Sequence, residues 1–177
     1  TAYGYELELQ SVLKFLPRPL NGIVVNFNYS RQFTEALYQT SRDTVIYFEV
    51  PGSPIPGSRT DYTEVFRSAP MVDQTPHTFN FSIGYDYKGF SARFSTVYQS
   101  SKVSEINAES ELKDIYTYKA WQLDASLKYT FRKRYSVFAN FNNIANRADI
   151  KYRFDPQYFT QDKRYNYSII YGIQFKL

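Results

Sequence analysis

The feature that most constrains this chain is a strict two-residue alternation of apolar and polar side chains, repeated in one segment after another. Near the end, Tyr165, Tyr167, Ile169, Tyr171, Ile173, Phe175 and Leu177 share one parity, against Asn166, Ser168, Ile170, Gly172, Gln174 and Lys176 on the other. A helix repeats every 3.6 residues and cannot sort side chains this way, whereas a strand does so by its geometry. The partition recurs at Trp121, Leu123, Ala125, Leu127, Tyr129 and Phe131, and at Phe79, Phe81, Ile83, Tyr85 and Tyr87. It recurs again at Phe90, Ala92, Phe94, Thr96 and Tyr98, at Ile23, Val25, Phe27 and Tyr29, and at Tyr3, Tyr5, Leu7 and Leu9. Between residues 135 and 153 the phase slips, and the run Asn142-Asn143-Ile144-Ala145-Asn146 reads as a bulge or loop that resets the register. The fold class is therefore all-β.

The connections alternate short and long. Pro17-Arg18-Pro19-Leu20-Asn21, Lys88-Gly89 and Arg132-Lys133-Arg134 have the chemistry of hairpin turns. Between them lie excursions of about residues 32–76 and 100–119, and a shorter one near 155–163. Tight turns on one side and long loops on the other describe an antiparallel, up-and-down transmembrane β-barrel, with the short side periplasmic and the long loops extracellular. Strands at about 3–15, 22–31, 77–87, 90–100, 118–131, 135–153 and 164–177 make seven. An odd number that ends on the periplasmic side begins on the extracellular side, which places the Pro17 turn in the periplasm, as its shortness demands.

Lipid explains the pattern better than a soluble core. The segments have about the 9 to 11 residues that a tilted strand uses to cross hydrocarbon, and none of the apolar positions named above is charged. Aromatic residues reach 19%, with 18 Tyr, 15 Phe and 1 Trp, while mean hydropathy is only -0.49. Rings at strand ends, namely Tyr3, Tyr29, Tyr98, Trp121 and Tyr165, are candidates for the aromatic girdle at the membrane surface. No run of about 18 apolar residues is present for a spanning helix. Cysteine is absent, so neither disulfides nor thiolate metal sites arise. The formal charge of +4 has its cations scattered among carboxylates, which gives nucleic-acid binding no support. The start, Thr1-Ala2-Tyr3-Gly4-Tyr5-Glu6, is not a signal peptide, so the chain is expected to be part of a longer or processed polypeptide.

Gly172, Phe175 and Leu177 resemble the C-terminal signal read by the barrel-assembly machinery. The strings Trp121-Gln122-Leu123-Asp124-Ala125-Ser126-Leu127-Lys128-Tyr129 and Tyr135-Ser136-Val137-Phe138-Ala139-Asn140-Phe141-Asn142-Asn143-Ile144-Ala145-Asn146-Arg147 resemble the C-terminal segment of TonB-dependent receptors, with Ile144 where Leu is usual. Tyr5-Glu6-Leu7-Glu8, Phe15-Leu16-Pro17, Leu20-Asn21-Gly22-Ile23 and Asp73-Gln74-Thr75-Pro76-His77 are similar to other stretches of that family, in the style of Bacteroidota. The resemblance implies the last seven strands of a barrel of about 22 strands whose lumen holds a plug. It also implies a multi-pass protein of the bacterial outer membrane, energised by TonB through a plug that residues 1–177 do not include. The implied partners are outer-membrane lipid, the N-terminal barrel and plug portions, TonB, the barrel-assembly machinery and a surface lipoprotein.

No phosphate loop, metal-ligand cluster or nucleophile with its base is visible, so no catalytic residue, cofactor or metal is expected. His77, beside Pro76, reads as a loop or capping residue. Glu6 and Glu8 share a face and read as lumen-facing charge. The 32–76 loop is the leading recognition element: it holds a possible strand extension at 44–50, prolines at 51, 54 and 56, and Arg42, Tyr47, Phe48, Arg59, Tyr62 and Arg67. Those six side chains suit an anionic or sugar-like substrate, though loop aromatics often serve order first. The function expected is import of a scarce nutrient such as a ferric siderophore, vitamin, peptide or oligosaccharide, without covalent chemistry. The alternatives are a passive or structural barrel, such as a porin, secretion component or adhesin scaffold, and a soluble β-sandwich binding module.

Overall fold

The computed structural model describes residues 1–176, so Leu177 of the expected assembly signal lies outside the described residues. The chain forms antiparallel strands in the order β1 (Ala2–Val12), β2 (Ile23–Thr34), β3 (Ala36–Phe48), β4 (Gly57–Ala69), β5 (His77–Tyr87), β6 (Phe90–Gln99) and β7 (Lys102–Glu105). There follow β8 (Ile115–Thr117), β9 (Ala120–Phe131), β10 (Tyr135–Asn142), β11 (Ala148–Arg153), β12 (Phe159–Arg164) and β13 (Ser168–Phe175). Helical structure among the described residues is confined to the 3-10 turns Leu20–Gly22 and Glu111–Lys113.

Seven strands form one sheet, the wall, in the order β1-β2-β5-β6-β9-β10-β13. Neighbours in the wall are also consecutive wall strands in the sequence, the up-and-down arrangement. The register runs through the sheet without a slip: Ser11 faces Val25, Val25 faces Ile83, Ile83 faces Phe94, Phe94 faces Ala125, Ala125 faces Phe141, and Phe141 faces Ile169. Directly opposed residues share a face, so the apolar parities of all seven strands merge into one surface. Its one formal charge is Arg31, opposite Tyr5 and His77 at the long-loop end. The other face gathers Glu6, Glu8, Asn28, Asn80, Ser95, Arg93, Asp124 and Lys128.

Polar partners are exchanged along that second face. Asn26 donates to Ser82 Oγ at 3.0 Å, Lys128 to Gln174 Oε1 at 3.1 Å, Asn28 to Glu6, and Arg93 pairs with Asp86. Nothing among the described residues lies against the apolar face. Among the described residues the buried apolar side chains are Val103 and Tyr152, neither of them in the wall, while Leu7, Leu9, Tyr171, Ile173 and Phe175 are exposed. A β-sandwich would seal this face against a second sheet, and among the described residues no sheet lies against it. The wall is also open at both edges, because β1 and β13 each pair on one side only.

Three sequence expectations are revised. The 32–76 excursion is not a loop with a short strand extension but the hairpin β3-β4, paired over thirteen residues from Ala36↔Ala69 to Phe48↔Gly57. The expected strand 135–153 is two strands in two sheets. Asn143 and Asn146, both with positive φ, turn the chain out of the wall between β10 and β11, as asparagine does at least cost. The expected loop at 155–163 likewise contains most of β12, and the last wall strand begins at Ser168 instead of 164.

The second sheet explains both splits. Its order, β12-β11-β8-β7, repeats the order of the last four wall strands, each of which it continues after a break at residues 100–101, 118–119, 143–147 or 165–167. Val103 and Tyr152 are buried there, where Tyr116 stacks on Tyr152 at a centroid distance of 5.5 Å.

Candidate functional site at the long-loop end

The hairpin β3-β4 stands beside the excursion that links β7 to β8, and a joint of charge holds the two together. Arg67, on β4, donates to both carboxylate oxygens of Asp114, at 2.7 and 2.8 Å, and to the carbonyl of Asn107 at 3.3 Å. Asp114 also accepts the Asn107 N–H at 2.8 Å and is only 2% exposed. A carboxylate this deep is tolerated because every approach to it carries a donor. The hydrogen bonds to Asp114 push the Arg67 pKa above its ordinary value, and burial, followed by the nearby Asp114 and Glu111, raises that of Tyr116. Backbone adds a further tie, Ser41 N–H to Ala108 O at 2.7 Å, and Ser110 caps the 3-10 turn through Leu112 N–H.

Above the joint lies a cleft of about 520 Å³ between hairpin and excursion, lined among others by Thr40, Arg42, Asp43, Glu109 and Lys113. The cleft is mixed in charge. Glu109 is held in its ionised form by Lys113, at 2.5 Å, which lowers its pKa. Arg42 enters no ion pair among the described residues and is the free cation of the set.

The six expected loop residues do not converge on one place. Register puts Arg42, Phe48, Arg59 and Arg67 on one hairpin face and Tyr47 and Tyr62 on the other. Arg42 and Arg67 meet at the cleft. Arg59 pairs with Asp61 at 3.2 Å nearer the tip, and the Phe48 ring covers Gly57, where a Cβ would come within 2.6 Å of it. Tyr47 and Tyr62 stand 71% and 73% exposed, on the same face as the exposed Leu37 and Phe66.

Sequence reasoning did not find Asp114 or Asn107, for nothing in a lone Asp within a polar stretch marks a partner 47 residues away. It also passed over Arg147. That side chain reaches Gln122 and Gln99 on the polar face, at 3.4 Å each, while Asp124 takes the Asn143 N–H at 2.8 Å. Among the described residues no group of His, Cys, Asp and Glu is assembled as for a metal ion.

An unclosed wall with one apolar and one polar face, topped by long loops, is the geometry of a transmembrane barrel segment, and the sequence matches the family described as TonB dependent receptor-like, beta-barrel, over residues 1–144. The chain belongs to that family. Its members are bacterial outer-membrane transporters that work with the membrane, a plug domain and TonB. Comparison with curated proteins and with solved structures gives no match.

In this receptor barrel the ring residues singled out from sequence fall at one level for the most part. Leu7, Tyr29, Phe79, Tyr98 and Trp121 form one register row, with Tyr98 and Trp121 at 4.6 Å and Phe79 and Trp121 at 6.3 Å between centroids. Tyr3 stacks on Phe33 at 5.1 Å, two rows nearer the loops. Tyr165 lies in the break between β12 and β13, outside the wall. His77 is the first residue of β5, where it meets the Tyr29 hydroxyl at 2.8 Å and Arg31. Glu6 and Glu8 lie on the receptor's polar face. Gly172 faces Phe138 across β10-β13, and a Cβ there would stand 3.0 Å from the Phe138 ring. Phe175 touches Tyr135 edge-on at 5.5 Å on the apolar face.

Proposed function

We propose that residues 1–177 are the C-terminal seven-strand portion of a larger, plugged barrel that imports a scarce nutrient under TonB control. The observation that carries this reading is the unbroken register that puts every apolar parity on one uncovered face and the polar parities on the other. Lipid suits the first and a wet lumen suits the second. Open edges at β1 and β13 leave room for the further strands of a 22-stranded wall. In this reading the chain passes the membrane seven times, the short turns face the periplasm and the β3-β4 hairpin and second sheet face outward.

Recognition is assigned to the cleft, with Arg42 as its cation and Tyr47, Tyr62, Phe48 and Arg59 as an outer surface. Arg67 serves there as the strut of the joint. The substrate class that suits a free guanidinium in a polar cleft, with exposed phenols on the other face of the same hairpin, is an anionic or sugar-like nutrient: a ferric siderophore, vitamin, peptide or oligosaccharide. Tyr3, Tyr29, Tyr98 and Trp121 would lie at the outer membrane surface. Gly172 and Phe175, with Leu177, would be read by the assembly machinery, and a surface lipoprotein is a natural partner for the outward hairpin.

The test is uptake of labelled nutrients from these four classes by cells carrying the intact protein, with and without functional TonB. Uptake is expected to need TonB and to fall about tenfold in Arg42→Ala, the size of one lost charge-assisted contact. Ion conductance by the purified protein without TonB or nutrient would instead make it a passive channel.

A further inference from the structure

The placement of charge along the barrel axis is far from even. At the long-loop end, carboxylates and cations are interleaved and nearly cancel. At the short-turn end there are only cations: Lys14 and Arg18 in the first turn, Lys88 in the second, Arg132, Lys133 and Arg134 in the third. Lys176 joins them, its N–H bonded to Arg134 O at 2.8 Å. No Asp or Glu lies in residues 13–22, 88–89 or 132–134, and Asp86, the nearest carboxylate on β5, is on the polar face and taken by Arg93. These cations, scattered along the sequence, are therefore collected by the topology onto one rim.

Backbone conformation shows that these residues are not there for ease of turning. Lys88, Arg132 and Lys133 have φ of 47°, 49° and 58°. Left-handed positions favour Gly, Asn or Asp, and other side chains occupy them at a conformational cost. Three cations thus hold turn sites where Gly, Asn or Asp would fit better.

Immediately next to the rim, the apolar face ends in a second band of rings. Tyr129 stacks with Phe131, Phe131 with Tyr135 at 5.5 Å, and Tyr135 meets Phe175, while Tyr85 touches Tyr87 and Phe90. The Lys88 ammonium lies 5.2 Å from the Tyr87 ring centre. Rings at the depth of the carbonyl region with cations just beyond them match the layering of a phospholipid leaflet, ester region first and phosphate second.

We propose that the short-turn rim is a binding surface for the phosphate groups of anionic phospholipid headgroups in the leaflet that it faces. This rests on the membrane orientation proposed above and goes beyond it, since a transporter has no general requirement for a carboxylate-free rim. The lipid held there would fix the depth of this part of the barrel and shield the like charges from one another.

The intact protein in uncharged detergent would be titrated with dioctanoyl phosphatidylglycerol, dioctanoyl phosphatidylcholine and inorganic phosphate, with bound lipid counted by native mass spectrometry. Phosphatidylglycerol is expected to bind more tightly than phosphatidylcholine, by about fivefold for each cation engaged. In Lys88→Asn/Arg132→Asn/Lys133→Gly the preference should shrink on the order of a hundredfold, in a protein that folds at least as well because its turns are relaxed. Lys151→Gln/Arg153→Gln/Lys163→Gln, which removes equal charge from the long-loop end, should keep the preference. Equal binding of the two lipids, displacement by inorganic phosphate at the same concentration, or a preference that survives the turn variant each overturns the proposal; a rim serving an acidic protein would give the first of these. Failure to insert into vesicles of any composition would instead sink the membrane reading itself.

Discussion

The wall and the long-loop end are both antiparallel sheet, but they satisfy their side chains in opposite ways. The wall buries almost nothing within the chain: its apolar face waits for lipid and its polar face for water or for other protein. The long-loop end has an inside, with Asp114 at 2% exposure, Val103 at 5% and Tyr152 at 9%. Stability in the wall therefore depends on its surroundings and on ladder hydrogen bonds, whereas the outer end depends on a few specific contacts, as a small soluble domain does. The two regions should respond to different mutations.

The sharpest test of that division is Asp114→Ala. It leaves the Arg67 guanidinium without its carboxylate and the Asn107 N–H without its acceptor, and breaking a buried pair costs about 3 to 5 kcal/mol. The loss should be local: hydrogen exchange should quicken in β4, β7 and residues 106–114, while the wall keeps its protection. Quickened exchange across β5, β6 and β9 as well would show that the two regions fold as one unit.

Next in size is a charge placed where only lipid can meet it. Ile83 lies in the row of Val25 and Phe94, between the two aromatic bands, and Ile83→Arg should destabilise the membrane-inserted state by about 2 to 4 kcal/mol in a urea refolding titration. Its neighbour Ser82, on the other face, should accept arginine with little effect. Equal penalties at 82 and 83 would mean that both faces are dry, which the division between lipid and lumen forbids.

The same contrast decides how much was legible in sequence. Where one solvent acts along a whole face, selection writes period two into every strand, and seven wall strands and the sorting of Glu6, Glu8 and Asp124 away from Leu7, Ile83 and Leu123 follow from parity. The hairpin carries no such record, since Thr, Tyr, Val and Asp appear on both of its faces, and apart from a possible strand extension at 44–50 it reads as loop. Parity also resumes after Asn146 without saying which sheet the strand joins, so β11 read as the end of β10. The Arg67–Asp114 joint depends on proximity across 47 residues, and the cationic rim on which turns share an end; neither is a local pattern. The site residues fared accordingly. Arg42 faces a cleft, Arg67 is a strut, and Tyr47 and Tyr62 turn away from both.

The smallest expected effect bears on the end of β13, where packing and assembly give competing accounts of one residue. Gly172 lies under the Phe138 ring, on the polar face, with no room for a Cβ unless the ring shifts by a few tenths of an ångström. Gly172→Ala should therefore cost about 1 kcal/mol through crowding. If crowding is the whole effect, Phe138→Leu, which removes the ring edge, should restore the refolding midpoint of the purified protein and its yield in the membrane together. If the glycine is instead read by the assembly machinery, the two readouts separate: the double variant would refold normally in vitro and still reach the membrane poorly in cells. Phe175→Ala supplies the control, because its ring packs against Tyr135 on the apolar face and Phe138→Leu on the other side of the sheet should not compensate for its loss.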